Sequence, residues 1–150
     1  LTALLTSSSA TTLPVSMIAA EKELGVDRAK ASFILPLGAT ANMDGTALFE
    51  GIAAIYLAYM FGVDLGSTEI ITVFLISMLS SIGAPGMPSG SMAGMQLVLL
   101  AVGIPLEAIA LLLLIERPLD TFRTAVNVEG DLAGCLVVEH FITGKEKAAA

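Results

Sequence analysis

Long apolar runs, most of them interrupted by a short cluster of polar, glycine or proline residues, set the pattern of this chain. Leu1 to Ala20 carries no charge and is broken by Thr6-Ser7-Ser8-Ser9-Ala10-Thr11-Thr12 ahead of Leu13-Pro14. One helix is expected to end there and another to begin, with Pro14 in its first turn. Glu21 to Lys30 reads as a short charged loop. Ala31 to Phe61 is apolar again and broken at Asn42-Met43-Asp44-Gly45, a strong turn signal. Gly62 to Glu69 is a second loop, and Ile70 to Leu106 contains no Asp, Glu, Lys or Arg. That stretch divides at Gly83-Ala84-Pro85-Gly86-Met87-Pro88-Ser89-Gly90. The two arms are about a dozen residues each, or roughly 18 Å of helix. Crossing the hydrocarbon core takes about 20 residues, so neither arm crosses alone. The pattern predicts a helical hairpin that enters a membrane and returns on the same side, its bare backbone buried in protein or lining a cavity.

The last apolar segment carries the most informative polar residues. Glu116, Asp120, Arg123, Thr124, Asn127 and Asp131 fall within about one third of a helix circumference at roughly 100° per residue. One face of the helix is therefore a polar stripe, and the other is Leu, Val, Ala and Phe. Ionisable groups in a membrane are costly and face a bundle interior or a water-filled cavity, so the stripe reads as a site for substrate or ions.

Composition agrees with a membrane protein: 55% hydrophobic residues, 14% charged and a mean hydropathy of +0.86. The net charge of −7 argues against nucleic acid as a partner, since that requires basic patches. Neither Cys135 nor His140 has a ligand-spaced partner, and no nucleophile–base pair suggests an enzyme. Leu1 opens directly into an apolar run without the features of a signal peptide, so the chain is expected to be a piece of a longer polypeptide. Lys22, Arg28 and Lys30 lie in the first loop and Lys145 and Lys147 in the C-terminal tail, while the Gly62–Glu69 loop and the Gly103–Leu106 connection have no cation. The positive-inside rule then places the first loop and the tail in the cytoplasm. Ala31–Phe61 runs outward, the hairpin enters from outside, and Leu106–Phe141 returns.

Where a helix unwinds in a membrane, its free carbonyls can hold a cation and its free N–H groups an anion. Asn42-Met43-Asp44-Gly45-Thr46 offers a carboxylate, an amide, a hydroxyl and carbonyls within five residues, a hard-oxygen set suited to Na⁺ or Ca²⁺.

Four segments, in order, resemble the dicarboxylate/amino-acid:cation symporters, the glutamate transporter family. They are Ser7-Ser8-Ser9-Ala10-Thr11-Thr12-Leu13-Pro14, Asn42-Met43-Asp44-Gly45-Thr46, Ser81-Ile82-Gly83-Ala84-Pro85-Gly86-Met87-Pro88, and Asp120-Thr121-Phe122-Arg123-Thr124-Ala125-Val126-Asn127-Val128-Glu129-Gly130-Asp131. The resemblance implies an all-α membrane protein and a partial transport domain with two re-entrant helical hairpins and two broken transmembrane helices. Residues 1–20 would be hairpin 1, mainly its second arm, and 31–61 broken transmembrane helix 7. Residues 70–102 would be hairpin 2, 106–141 transmembrane helix 8, and 142–150 a cytoplasmic tail. The rest of the same polypeptide would supply scaffold helices, and the full-length protein would be a homotrimer in the cell membrane.

Residue roles follow from the same resemblance. Arg123 would pair with a substrate side-chain carboxylate through two parallel charged bonds. Asp120 would hold the substrate ammonium, and Thr124 and Asn127 its main-chain end. Ser9 and Thr46 would add hydrogen bonds, Ser7 would stand beside them in hairpin 1, and Met87 would close the hairpin 2 tip over the substrate. Asp131, with carbonyls of Gly38, Asn42 and Asn127, would hold one Na⁺. Carbonyls of Thr40, Ser81, Ile82 and Ala84 would hold a second. Asp44 and the Asn42 side chain would belong to a third, completed by residues outside this chain.

Some positions depart from the family pattern. Members that take acidic substrates usually carry an extra arginine at the position of Ser7 or Thr121, and neither is basic here. The acidic partner of that arginine is present as Glu116, while Arg117 lies one position round the helix. Pro85 and Ser89 stiffen and crowd a tip that the family keeps rich in glycine. Glu50 lies one turn beyond Thr46 on the same helix, at a depth where desolvation favours the neutral acid. Family members with Glu there tend to move a proton or K⁺. The resulting expectation is a symporter that couples uptake of acidic amino acids or C4-dicarboxylates to Na⁺, with H⁺ as a second coupling ion at Glu50. A neutral amino-acid carrier on the same scaffold is the nearest alternative, and an ion channel the alternative from another class.

Overall fold

The computed structural model describes residues 1–84 and 86–149. Helices α1 (Thr2–Thr6), α2 (Ser9–Lys22), α3 (Arg28–Ala41), α4 (Asp44–Phe61), α5 (Ser67–Ile82) and α6 (Ser91–Ala101) follow in order. A 3₁₀ turn (Leu106–Ala108), α7 (Ile109–Leu113) and α8 (Glu116–Ala149) complete the chain, and no strand occurs among the described residues. Helix α8 is the spine: it packs against α1, α2, α3 and α4, while α5 and α6 pack on each other and on α4.

Each break has a local cause. Ser7 ends α1 in the left-handed region at φ 49°, and extended Ser8 caps α2 by accepting from the Thr11 N–H. Helix α2 thus starts five residues before Pro14, which lies inside it and not in its first turn. The serine cap, not the proline, decides the start. The charged loop is also shorter than the sequence suggests, because α2 runs on to Lys22 and Asp27 caps α3 through the Ala29 and Lys30 N–H groups. The break between α3 and α4 falls at Asn42 and Met43, as the turn signal indicates.

The hairpin arms are unequal, with α5 at 16 residues and α6 at 11. The stretch from Leu106 is not one helix, since α7 stops at Leu113 and α8 begins at Glu116. Pro118 falls in the first turn of α8, where its missing N–H costs nothing; continuing α7 straight through it would cost a hydrogen bond. Helix α8 also extends through the expected tail to Ala149. Pro85, expected to stiffen the tip, lies outside the described residues, as do the side chains of Lys145 and Lys147. No helix among the described residues is long and apolar enough to cross a membrane on its own.

Two apolar clusters flank the α3–α4 break. The larger joins Ala54, Leu57, Val73, Met95, Leu99 and Leu112 from α4 to α7, and the smaller joins Ala20, Ala31, Leu35 and Cys135 from α2, α3 and α8. The outer surface is also apolar: Tyr59, Phe74, Leu79, Leu100, Leu114 and Phe141 are all more than half exposed. Such broad exposure of large apolar side chains is unusual for a water-facing surface and marks faces that meet other helices or lipid.

Candidate functional site

The polar stripe of α8 faces inward along its whole length. Glu116, Asp120, Arg123, Thr124, Asn127 and Asp131 are all buried, whereas Arg117 is exposed and cannot stand in for a second arginine in the site. The N-terminal part of the stripe is an ion cluster. Arg123 Nη2 donates to Asp120 and, at 3.2 Å, to Glu116 Oε1, and the guanidinium lies 4.5 Å above the Phe49 ring. Its Nη1 is buried with no hydrogen-bond partner, a costly state for a charged donor.

The turn between α5 and α6 folds onto this cluster. Ser89, in the left-handed region at φ 61°, donates its backbone N–H to Asp120 Oδ2 at 3.0 Å and its hydroxyl to Glu116 Oε2 at 3.1 Å. Its crowding of the tip is thus a specific attachment. The serine break joins the same turn: the Gly86 carbonyl accepts from the Ser8 hydroxyl at 2.7 Å and from the Ala10 N–H at 3.2 Å. A side chain at Gly86 would come within 2.8 Å of the Ala39 carbonyl, so the approach of the turn to α3 requires glycine.

Asn127 stitches the α3–α4 break to α8. Its Oδ1 accepts from the Gly45 N–H at 2.8 Å, and its Nδ2 donates to Met43 Sδ and Thr46 Oγ1. Gly45 packs directly on the Arg123 carbonyl, leaving no room for a Cβ. Ser7, Ser9, Thr46, Met87, Asp120, Arg123, Thr124 and Asn127, the eight expected substrate residues, all line one pocket with Met43, Gly86, Gly90 and Ser91. The pocket is small, with about 10 Å³ of space, near the room one water needs.

One turn further along α8 the chemistry changes. Asp131 Oδ1 accepts from Asn42 Nδ2 at 3.1 Å. The Gly38 backbone lies against the same carboxylate, so that a Cβ there would be 2.5 Å from Oδ1. Gly130 sits against both Asn42 Nδ2 and Asp44 Oδ2, which gathers the amide and the two carboxylates. Gly38, Asn42 and Asp131 line an open depression of about 270 Å³. No ion pair forms at Asp44 or Asp131 among the described residues. No group of three carboxylate, imidazole or thiol ligands forms there either among the described residues.

The second expected cation group is less clearly assembled. Ser81, Ile82 and Ala84 lie at the end of α5 and the turn after it, where the Ser81 carbonyl accepts from the Ala84 N–H at 3.2 Å. Thr40 lies at the end of α3, which touches α5, but its hydroxyl returns to the Pro36 carbonyl. Glu50 is fully buried between α4 and the α5–α6 pair. Ser80 donates to Oε2, while Oε1 has no partner and faces Gly94. The sequence singled out Glu50 but not Ser80 or Phe49, and it carried Ser8 and Met43 only as members of the serine break and the Asn42–Thr46 turn, without a role of their own. Ser80 and Phe49 have no spacing that marks them, and only packing brings them to the site.

A family model described as the sodium:dicarboxylate symporter family matches residues 1–141. Among curated relatives, human excitatory amino acid transporter 2 is 50% identical over 140 residues, covering 93% of this chain and 24% of that protein. The excitatory amino acid transporter of Caenorhabditis elegans is 47% identical over 141 residues, covering 94% of this chain and 28% of that protein. Mouse excitatory amino acid transporter 3 is 47% identical over 139 residues, covering 93% of this chain and 27% of that protein. The chain thus spans about a quarter of the length of these curated relatives, which are transporters by name and not enzymes.

Proposed function

Because the chain belongs to the sodium:dicarboxylate symporter family, we propose that it is the C-terminal part of the transport domain of a Na⁺-coupled carrier of acidic amino acids working by alternating access. Residues 1–20 would form hairpin 1, 31–61 and 106–141 broken helices 7 and 8, and 70–102 hairpin 2. The broken helices, the unequal hairpin arms and the exposed apolar faces support a place within a membrane-embedded bundle. Scaffold helices of the same polypeptide, in a trimer in the cell membrane with its C-terminus cytoplasmic, would cover those faces.

One observation carries the substrate assignment: Arg123, whose buried Nη1 has no partner, lines the same pocket as Thr46, Thr124 and Asn127. A carboxylate of the substrate would satisfy it, Asp120 would take the ammonium, and Thr124 and Asn127 the main-chain carboxylate. The pocket is too small for an amino acid while the turn around Gly86–Gly90 is closed, so binding requires that turn to move. Its attachments through Ser8 and Ser89 are few enough to break and reform. Na⁺ at Asp131, Asn42 and the Gly38 and Asn127 carbonyls would supply the positive charge that this part of the site lacks. Ions at Thr40, Ser81, Ile82 and Ala84, and at Asp44, would add to the coupling. Glu50 would carry a proton with the substrate. The neutral amino-acid carrier has one observation in its favour, that Glu116 and Asp120 already occupy Arg123 Nη2.

The test is uptake of labelled aspartate by the full-length protein in proteoliposomes. Accumulation driven by an inward Na⁺ gradient and absent with choline is expected. Na⁺-driven uptake of serine with no uptake or competition by aspartate would replace the acidic with the neutral reading.

A further inference from the structure

Glu116 and Ser89 hold no substrate or ion in the reading above, yet Glu116 bonds directly to its central residue and Ser89 bonds to Glu116. Each carboxylate of the cluster has its two oxygens divided between two partners. Glu116 gives Oε1 to Arg123 and Oε2 to the Ser89 hydroxyl. Asp120 gives Oδ1 to Arg123 and Oδ2 to the Ser89 N–H. The turn between α5 and α6 and the arginine are therefore joined through two acids, and Glu116, 3% exposed, has no solvent to replace either partner. Formal charge sharpens the point. One arginine faces two carboxylates, so the cluster carries a net negative charge before any substrate arrives.

We propose that Glu116 is a specificity-determining residue: a resident anion that occupies one donor nitrogen of Arg123, competes with the side-chain carboxylate of an acidic substrate, and is held in place by Ser89 of the closing turn. A substrate acid can then pair with Arg123 Nη1 alone while Glu116 keeps Nη2, and gains the two-pronged pairing only when Glu116 swings away. A neutral amino acid meets no such competition. Glu116 thus sets the margin by which acidic substrates are preferred over neutral ones. The proposal rests on Arg123 reading the substrate side chain.

The experiment measures KM and kcat for labelled aspartate and serine with the full-length protein in proteoliposomes, for wild type, Glu116→Gln and Glu116→Asp. A hydrogen bond to a charged group is worth about ten- to a hundredfold in an equilibrium constant. Removing the resident charge in Glu116→Gln should therefore lower the KM of aspartate relative to that of serine about tenfold. Glu116→Asp keeps the charge and should hold the ratio near that of wild type. If Glu116→Gln does not reach the membrane, Glu116→Ala is read on the same ratio. A general structural role would change kcat or the amount of folded protein and leave the KM ratio unmoved; that result overturns the proposal. A ratio that shifts toward serine also overturns it. Wild-type protein that takes up neither substrate would overturn the transport reading itself, which separates the two failures.

Discussion

Two acid groups that meet at α8, with Asp120 and Asp131 about three turns apart on it, have opposite charge economies. Glu116 and Asp120 lie beside Arg123, which is their internal cation. Buried Asp131 has the Asn42 amide as its side-chain partner and exposed Asp44 lies nearby across Gly130, with no ion pair at either among the described residues. Buried carboxylates need a partner. The first group has one built in, with a donor nitrogen left over for an incoming anion. Under the proposed function, a cation from outside would supply the charge that buried Asp131 lacks in the second. That contrast is a physical rationale for cotransport: a domain carrying uncompensated buried charge crosses an apolar barrier poorly, and one carrying both ligands crosses readily.

The largest effect should come from the group with its own cation. Arg123→Ala leaves Glu116 and Asp120 buried without a counter-ion and removes the anion donor. Losing one partner of a buried pair costs about 3–5 kcal/mol, so aspartate uptake should fall by roughly a hundredfold or more. Normal aspartate transport by that variant would mean the carboxylate is read elsewhere.

Glu50→Gln addresses a third buried acid, one with neither arrangement, its oxygens shared between Ser80 and no partner at all. The variant should still exchange internal for external aspartate but lose net, pH-dependent uptake. If net uptake keeps its pH profile, Glu50 is a structural residue.

In the second group, Asp131→Asn keeps the size and the contact with Asn42 but removes the charge. Half-saturating Na⁺ should rise about tenfold, as for the loss of a charged ligand, with the aspartate KM at saturating Na⁺ changed far less. An unaltered Na⁺ response would place the ion elsewhere.

Lys30 and Glu139 make the useful contrast for a pair outside the stripe. They meet at 3.0 Å with about a fifth of each side chain exposed, and Thr143 bonds to both. Pairs with access to solvent contribute little to stability. Lys30→Ala should lower the melting temperature slightly and leave both KM values alone; a large change in either would extend the coupled network to this end of α8.

Much of this arrangement was legible in the sequence. The α8 stripe shows because a 3.6-residue period survives burial, and the α3–α4 break shows because Asn-Met-Asp-Gly is a turn signal, whose Asn42 and Met43 leave the helix while Asp44 and Gly45 start α4. The eight substrate positions, read from the family resemblance, converge on one pocket. What escaped has two physical origins. Helix ends were set by caps that composition does not rank, so Ser8 and Asp27 overrode the apparent signals of Pro14 and the charged loop. The break at Leu114–Ile115 did have a signal, Pro118, hidden in an apolar run. The links through Ser89, Ser80 and Phe49 are long-range contacts between helices and have no local pattern. The Thr40 and Ser81–Ala84 group shows the converse, a residue set assigned by resemblance that the packing brings near without joining.

The division of labour between the two acid groups is tested most directly by binding of ²²Na⁺ to full-length Arg123→Ala protein in the absence of substrate. Retention of wild-type Na⁺ affinity, in protein that no longer binds aspartate, is the expected result. Loss of Na⁺ binding together with aspartate binding would make the two groups one site and contradict it.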